Sequence, residues 1–513
     1  MTFFSVTIFL FLLAFVVTLV LVYPFRLIAI RVGMVDHPDS VRKLQSNSIP
    51  VAGGLVIFLV MSVAMILICT FRDNFAFAVG LSPKLLLPLL IVSPLIVGVG
   101  LIDDIYVLSG RTKLIFQIVA ASVIVGFAKH YSEVMFFGSE LNLHHLFYPL
   151  AVFWIIGLIN AINLLDGADG VAVTAGFHMS IATACVAFIN NHFGIALLSV
   201  GLAGGLGGFF MHNRPPARVY LGDTGSMFIG LVLATFMFRA SVLEKGTISV
   251  CGPLVIVLIP MVDSFFAVIR RMNSGRTIFS PDRGHIHHLL SLKFSSGYIV
   301  LSILSLLIVP GCIAAVVGAY YRNDFIPVVV ALCILCIAIS TDLFGRRELL
   351  ILLGRVKGHF RKLFNKQKYN QRNGEIYHTQ GNGPWRQIWN QLIPILHNYP
   401  CRQLQLDINI PCRHEDFFGE WENVIKKNNY AEKSMNCSVP LIVEEKYIGT
   451  LRIFFEYQNE RRNELFGLTL KLSEICEHSV KQYLDTGTVD NAVIVLSFQE
   501  QDLDSIHTDK QAA

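Results

Sequence analysis

Eleven long apolar windows fill most of the first 343 residues of this 513-residue chain, and they constrain its fold more than any other feature. A helix that crosses a bilayer needs about 20 predominantly apolar residues, because every backbone N–H and C=O must find its partner within the segment. The windows fall at 3–25, 51–70, 85–102, 114–128, 146–165, 171–189, 193–211, 226–243, 249–269, 298–320 and 325–343. The fourth is short, and the sixth and seventh nearly touch. The first exceeds a signal-peptide core and no small-residue cleavage site follows it, so it reads as an uncleaved span. Only 15% of residues are charged, against about a quarter in soluble domains, which excludes an ordinary cytosolic enzyme. The expected architecture is an all-α polytopic membrane bundle of about 11 transmembrane helices with a C-terminal soluble α/β domain.

Charge divides the chain. Residues 1–370 hold 27 Lys+Arg and 16 Asp+Glu, a balance of +11, whereas residues 371–513 hold 14 and 20, a balance of −6. With the amino terminus outside, thirteen Lys and Arg from Arg26 to Lys293 fall in inner loops and six in outer ones, the asymmetry of the positive-inside rule. The basic run from Arg346 to Lys368 then places the tail in the cytoplasm as a stop-transfer flank. Glycines four apart at 201/205 and 204/208 lie inside a hydrophobic span and predict close helix packing rather than a phosphate loop. No G-x-x-x-x-G-K-[ST] sequence occurs.

Ionisable groups are costly at membrane depth, so their placement carries the functional signal. Asp103-Asp104 ends the third window, with Arg111 and Lys113 just beyond. Asn160-Ala-Ile-Asn163-Leu-Leu-Asp166-Gly-Ala-Asp169-Gly170 ends the fifth, and Tyr220-Leu-Gly-Asp223-Thr-Gly-Ser226 opens the eighth. Asp263 lies in the ninth and can be a site residue or a structural partner of Arg270 or Arg271. Ser280-Pro-Asp282-Arg283-Gly-His285-Ile-His287-His288 precedes the tenth. Singly, each has a bland reading as a water boundary, an interhelical bond, a helix cap or a solvated loop. Five such segments on one face exceed what a boundary requires. Asp and Asn oxygens without Cys suit a hard cation such as Mg²⁺, and the Arg, Lys and His residues suit phosphate oxygens. That combination supports phosphoryl transfer from a soluble nucleotide to a lipid phosphate.

In their order and content these motifs resemble the polyprenyl-phosphate N-acetylhexosamine-1-phosphate transferases over about residues 1–345. The resemblance implies transfer of a sugar 1-phosphate from a UDP-amino sugar to undecaprenyl phosphate, with Mg²⁺ (or Mn²⁺) and release of UMP, at the bacterial cytoplasmic membrane. It implies Asn163 and Asp223 as metal ligands and Asp103 as the residue that deprotonates the lipid phosphate, with Asp104 as its partner. It places Lys113 near the pyrophosphate and Asp166 and Asp169 on the nucleotide and sugar side. His285, His287 and His288 match the donor-binding loop, Arg283 belongs to the same motif, and Asn160 supports Asn163. The segment 282–288 looks like the branch using UDP-N-acetylglucosamine, the alternative being the phospho-N-acetylmuramoyl-pentapeptide transferases of peptidoglycan synthesis. The expected mechanism is direct attack by the lipid phosphate on the donor's β-phosphorus, a covalent aspartyl intermediate being the rival. A transporter with a cytosolic regulatory domain, the alternative of another class, would set its charges near the midplane within repeated halves. Here they gather at one face. No nucleic-acid partner is implied, and a homodimer is compatible.

Beyond residues 346–380, a basic flank and polar linker, residues 381–497 suffice for one cytoplasmic α/β domain, and 498–513 read as a disordered tail. Trp385, Ile388, Trp389, Leu392 and Ile393 fall at helical spacing, for packing within that domain or for lying on the membrane. Residues 438–455 read as two strands joined at Glu445-Lys446, followed by a helix through Leu465, Leu468, Leu470, Leu472, Ile475 and Val480. This order resembles the end of a GAF-like sensory module. Cys401, Cys412, His414 and Cys437 match no common zinc spacing.

Overall fold

The computed structural model describes residues 3–36, 48–70, 83–106, 108–127, 133–243, 246–273, 278–279, 284–341, 375–381, 383–397, 399–410, 415–423, 434–443, 446–456 and 462–486. The chain forms two units, the second holding the described residues from Glu375 onward.

The first unit opens with helix α1 (Phe3–Val32), the short strands β1 (Val35–Asp36) and β2 (Ile49–Pro50), and helices α2 (Gly53–Thr70), α3 (Pro83–Tyr106) and α4 (Gly110–Phe127). A hairpin of β3 (Glu133–Phe136) and β4 (Ser139–Asn142) precedes α5 (Phe147–Leu165), α6 (Val171–Ile189), α7 (Phe193–Asn213) and α8 (Gly222–Ala240). Strand β5 (Ile248–Ser249) pairs with β3, and α9 (Cys251–Ile256), α10 (Leu258–Asn273), α11 (Ile286–Lys293), α12 (Gly297–Tyr321) and α13 (Phe325–Ser340) complete the unit.

Each apolar window contains helix, but seven of the described helices are long and apolar enough to cross a membrane: α1, α3, α4, α5, α6, α7 and α12. Helices α2 and α13 are apolar over shorter lengths, and α8 carries Asp223 and Arg239 at its ends. The ninth window is two helices that meet at Val257. Pro260 explains the break: its ring excludes the carbonyl of Ile256, four residues back, yet it is tolerated in the first turn of a new helix.

Helix α8 is buried from Thr224 to Met237 on all sides, as a helix apolar around its whole circumference must be. Glycines allow its neighbours that close. A Cβ on Gly54 of α2 would overlap the backbone of Gly225, and one on Gly100 of α3 would lie 2.5 Å from Thr224 Cα. On the far side, a Cβ on Gly230 would lie 2.6 Å from Ile159 Cα of α5. The α7 glycine run acts on α1, where Gly204 and Gly208 sit against the carbonyls of Phe11 and Phe15. Gly201 meets no neighbour within 4 Å, so of the two expected pairs only 204/208 makes backbone contact. Because the clash at Gly100 is backbone against backbone, Gly100→Val is expected to cost about 1–3 kcal/mol or more. A lower unfolding temperature of the purified protein, with reduced activity, checks this.

The second unit comprises β6 (Glu375–Gly381), α14 (Gly383–His397), β7 (Cys401–Ile410), β8 (Glu415–Asn423), β9 (Ser434–Val443), β10 (Lys446–Glu456) and α15 (Arg462–Thr486). The sheet is antiparallel in the order β6-β8-β7-β10-β9. Trp385, Ile388, Trp389, Leu392 and Ile393 of α14 join Leu404, Trp421, Leu451 and Leu472 in one core, so the periodic face packs within the unit. The β9–β10 hairpin sets Lys446 opposite Val443. On α15 the expected buried face holds, except that Leu470 points outward. Cys401 and Cys437 are buried in the sheet, while Cys412 and His414 lie outside the described residues.

Candidate active site

The ends of α3, α5 and α7 and the starts of α4, α6 and α8 meet at one end of the first unit, joined by short connections. Lys113, in the first turn of α4, places its Nζ 3.0 Å from Asp103 Oδ2 and 2.7 Å from Asp223 Oδ2. The other Asp103 oxygen accepts the Leu108 amide at 2.5 Å, which fixes the turn between α3 and α4. Asp223, in the first turn of α8, lies beside Asn163 in the last turn of α5, whose Nδ2 donates to Ser226 Oγ at 3.0 Å. One ammonium group therefore joins α8 to the sequence-distant turn between α3 and α4.

Asp104 does something different from its neighbour. Its Oδ1 accepts the Asp223 amide at 2.8 Å, and its Oδ2 accepts the Thr224 amide at 3.2 Å and the Thr224 hydroxyl at 2.6 Å. These amides open α8 and have no partner within the helix, so Asp104 caps α8 from α3 at its positive dipole end. Gly222 makes room: its φ is +75°, and a Cβ there would lie 2.7 Å from Asp104 Oδ2. A carboxylate that accepts three hydrogen bonds holds Asp223 in place.

Asp166 follows α5 directly. Partial burial, together with the charges of Asp223, Asp104 and Asp169, pushes its carboxyl well above the usual carboxylate range. Asp169 turns away and accepts the Ala217 amide at 2.8 Å. Beside it, Asn213 accepts from the Gly170 amide at 3.0 Å and donates to Val219 O at 2.9 Å. Asp169 thus fastens the α5–α6 turn to the α7–α8 connection. Asn160 has partners other than Asn163. Its Nδ2 donates to Gln117 Oε1 at 2.7 Å and to Ile156 O at 2.8 Å, which ties α5 to α4 one turn beyond Lys113.

The histidines lie inside the fold rather than on a solvated loop. His285 and His287 are buried, and His287 rests against Gly167. Burial, with His288 and His285 adjacent, holds the His287 imidazole well below its ordinary range. The ring of His288 lies 4.2 Å from that of His287. Asp263 bonds to His285 Nδ1 at 2.9 Å, a partner other than the arginines expected from spacing. Arg283 and Asp282 lie outside the described residues.

Among the described residues no three His, Cys, Asp or Glu side chains converge as a ready-made metal cage. Mg²⁺ does not require one, since it commonly takes one or two carboxylates and completes its shell with water and substrate phosphates. Asp223 with the Asn163 carbonyl suits that pattern. So does an anionic cluster of Asp103, Asp104, Asp166 and Asp223 in which Lys113 bridges two of the carboxylates.

Residues 86–241, from α3 to the end of α8, match the family described as glycosyl transferase family 4. A probable undecaprenyl-phosphate N-acetylglucosaminyl 1-phosphate transferase of Bacillus subtilis is 32% identical over 265 residues, 51% of this chain and 71% of that protein. The chain belongs to glycosyl transferase family 4. This family 4 chain is also 33% identical over 311 residues to a decaprenyl-phosphate N-acetylglucosaminephosphotransferase of Mycobacterium tuberculosis, covering 55% of the chain and 74% of the relative. A phospho-N-acetylmuramoyl-pentapeptide-transferase of Streptococcus suis is 32% identical over 274 residues, 50% and 79% of the two. The matched family segment contains the Asp103–Lys113–Asp223 cluster but not the histidines of α11. Gln117, Asn213 and Thr224 are site-building residues of this family 4 chain that the sequence does not single out. Gln117 carries one signal, a lone amide within an otherwise apolar window.

Proposed function

We propose that this multi-pass membrane protein transfers N-acetylglucosamine 1-phosphate from a UDP-sugar to undecaprenyl phosphate, releasing UMP and starting a lipid-linked glycan of the bacterial envelope. The observation that carries the reading is the convergence of Asp103, Lys113, Asn163 and Asp223 from four helices at one end of the bundle. The relatives support the chemistry, since those from Bacillus and Mycobacterium are named as N-acetylglucosamine phosphotransferases of polyprenyl phosphates. In this reading the cluster and the α11 histidines face the cytoplasm.

Asp223 and Asn163 would hold Mg²⁺, which when bound neutralises charge on the donor diphosphate and on the departing UMP. Lys113, held by two carboxylates, is aimed where phosphate oxygens enter, and it can exchange a carboxylate for a phosphate without leaving the site. A phosphate monoester is already largely ionised near neutral pH (second pKa about 6), so the lipid phosphate can attack the β-phosphorus with little help from a base. Asp103, paired to Lys113, then orients the lysine more than it removes a proton. His285, His287 and His288 take the donor side, opposite Asp166 and Gly167.

The Streptococcus relative favours a second reading, with a muramoyl-pentapeptide donor. The segment Asp282-Arg283-Gly-His285-Ile-His287-His288 argues for the simpler sugar. Purified protein given undecaprenyl phosphate and Mg²⁺ is expected to form lipid-linked sugar phosphate from UDP-N-acetylglucosamine. Product from UDP-N-acetylmuramoyl-pentapeptide alone would replace the first reading with the second.

A further inference from the structure

Asp263 sits on α10, 2% exposed, and uses both carboxylate oxygens on the start of α11. Oδ2 lies 2.9 Å from His285 Nδ1, and Oδ1 accepts the Ile286 amide at 3.0 Å. A carboxylate offers acceptors only, so the His285 proton lies on Nδ1 and Nε2 is the ring atom left for another group. Among the described residues that Nε2 is buried without a hydrogen-bond partner, as are both ring nitrogens of His287. The two rings lie nearly parallel, 9° apart with centroids separated by 5.8 Å. His287 in turn lies against Gly167, the residue after Asp166. Arg270, from the same helix as Asp263, packs on Gly284.

These three imidazole nitrogens, those of His287 against Gly167, need polar partners, because burying a polar group unpaired is costly. The hydroxyls of a nucleotide sugar would donate to His285 Nε2 and to the unprotonated nitrogen of His287, and its phosphate oxygens would accept from the remaining His287 N–H. We propose that Asp263 is a positioning residue that sets donor affinity by fixing the tautomer and orientation of His285 and pinning the first turn of α11. The inference rests on the reading of α11 as part of the donor site. Asp263 touches no reacting atom; it acts through His285, as a carboxylate does behind a metal-bound histidine.

The test is steady-state kinetics on the full-length protein in lipid nanodiscs, with UDP-N-acetylglucosamine and undecaprenyl phosphate varied separately. Asp263→Asn, whose amide can donate to Nδ1 and so favour the other tautomer, is expected to raise the donor KM by roughly 10- to 100-fold. The KM for the lipid phosphate should stay as in the wild type. Asp263→Glu should fall between the two, and Asp263→Asn/His285→Asn should be no worse than His285→Asn alone, because coupled residues are not additive. An unchanged donor KM in Asp263→Asn, or losses that multiply in the double variant, would overturn the inference and leave the proposed function standing. Should Asp263→Asn not fold, Asp263→Glu decides in the same way: a raised donor KM supports the inference and an unchanged one overturns it. Wild-type protein that releases no UMP from any UDP-hexosamine would overturn both.

Discussion

Asp223→Ala is expected to lower transfer by roughly 10²–10³-fold, the effect of removing one preorganised charge-stabilising group, whereas Asp103→Asn lowers it about tenfold. The order follows from what each carboxylate does. Asp223 sits where the start of α8, Asn163 and Lys113 meet, and its loss would remove the proposed charged metal ligand and one of the two anchors of Lys113. Asp103 divides itself between the Leu108 amide and Lys113, and asparagine can still accept one of these bonds. A phosphate nucleophile that arrives ionised makes a dedicated base a small contributor. Turnover of the two variants at saturating Mg²⁺ checks the ranking, and a larger loss in Asp103→Asn would assign Asp103 the base role instead.

The second large effect concerns Asp104. Asp104→Ala removes the acceptor of two α8 amides and the Thr224 hydroxyl. Loss of a helix cap alone costs about 0.5–2 kcal/mol, and a displaced Asp223 would hold the proposed Mg²⁺ less well. The expected outcome is a lower unfolding temperature and activity recovered in part by raising Mg²⁺, with Asp104→Asn intermediate because it keeps one acceptor. A base would behave otherwise: turnover would fall while Mg²⁺ requirement and stability stayed as in the wild type. Titrating Mg²⁺ at fixed substrate separates the two.

The helices were legible in the sequence because hydropathy is a local property, and every apolar window holds helix. The split at Val257 was also written locally, in Pro260, but an average over twenty residues hides one proline. The acids of the motifs were visible because charges are so scarce in this unit. Their division of labour was not, since it depends on pairings across the fold. Asp104 meets Asp223 and Thr224 from more than a hundred residues away, and Asn160 finds Gln117 rather than its near neighbour Asn163. Asp263 shows the same limit. Arg270 and Arg271 both stand about two turns along its own helix, yet the bond goes to His285 at the start of α11. Spacing proposes neighbours, and helix crossing chooses among them.

In the proposed function this cluster carries out direct transfer of a sugar 1-phosphate to a lipid phosphate. Its most direct test is the stoichiometry of UMP release against lipid-linked sugar phosphate formed by the purified wild-type protein, measured beside Asp223→Ala. One UMP per lipid product, both lost in the variant and neither formed without acceptor, is the predicted result. Lipid product formed at the wild-type rate by Asp223→Ala, or UMP released without any lipid product, would contradict it.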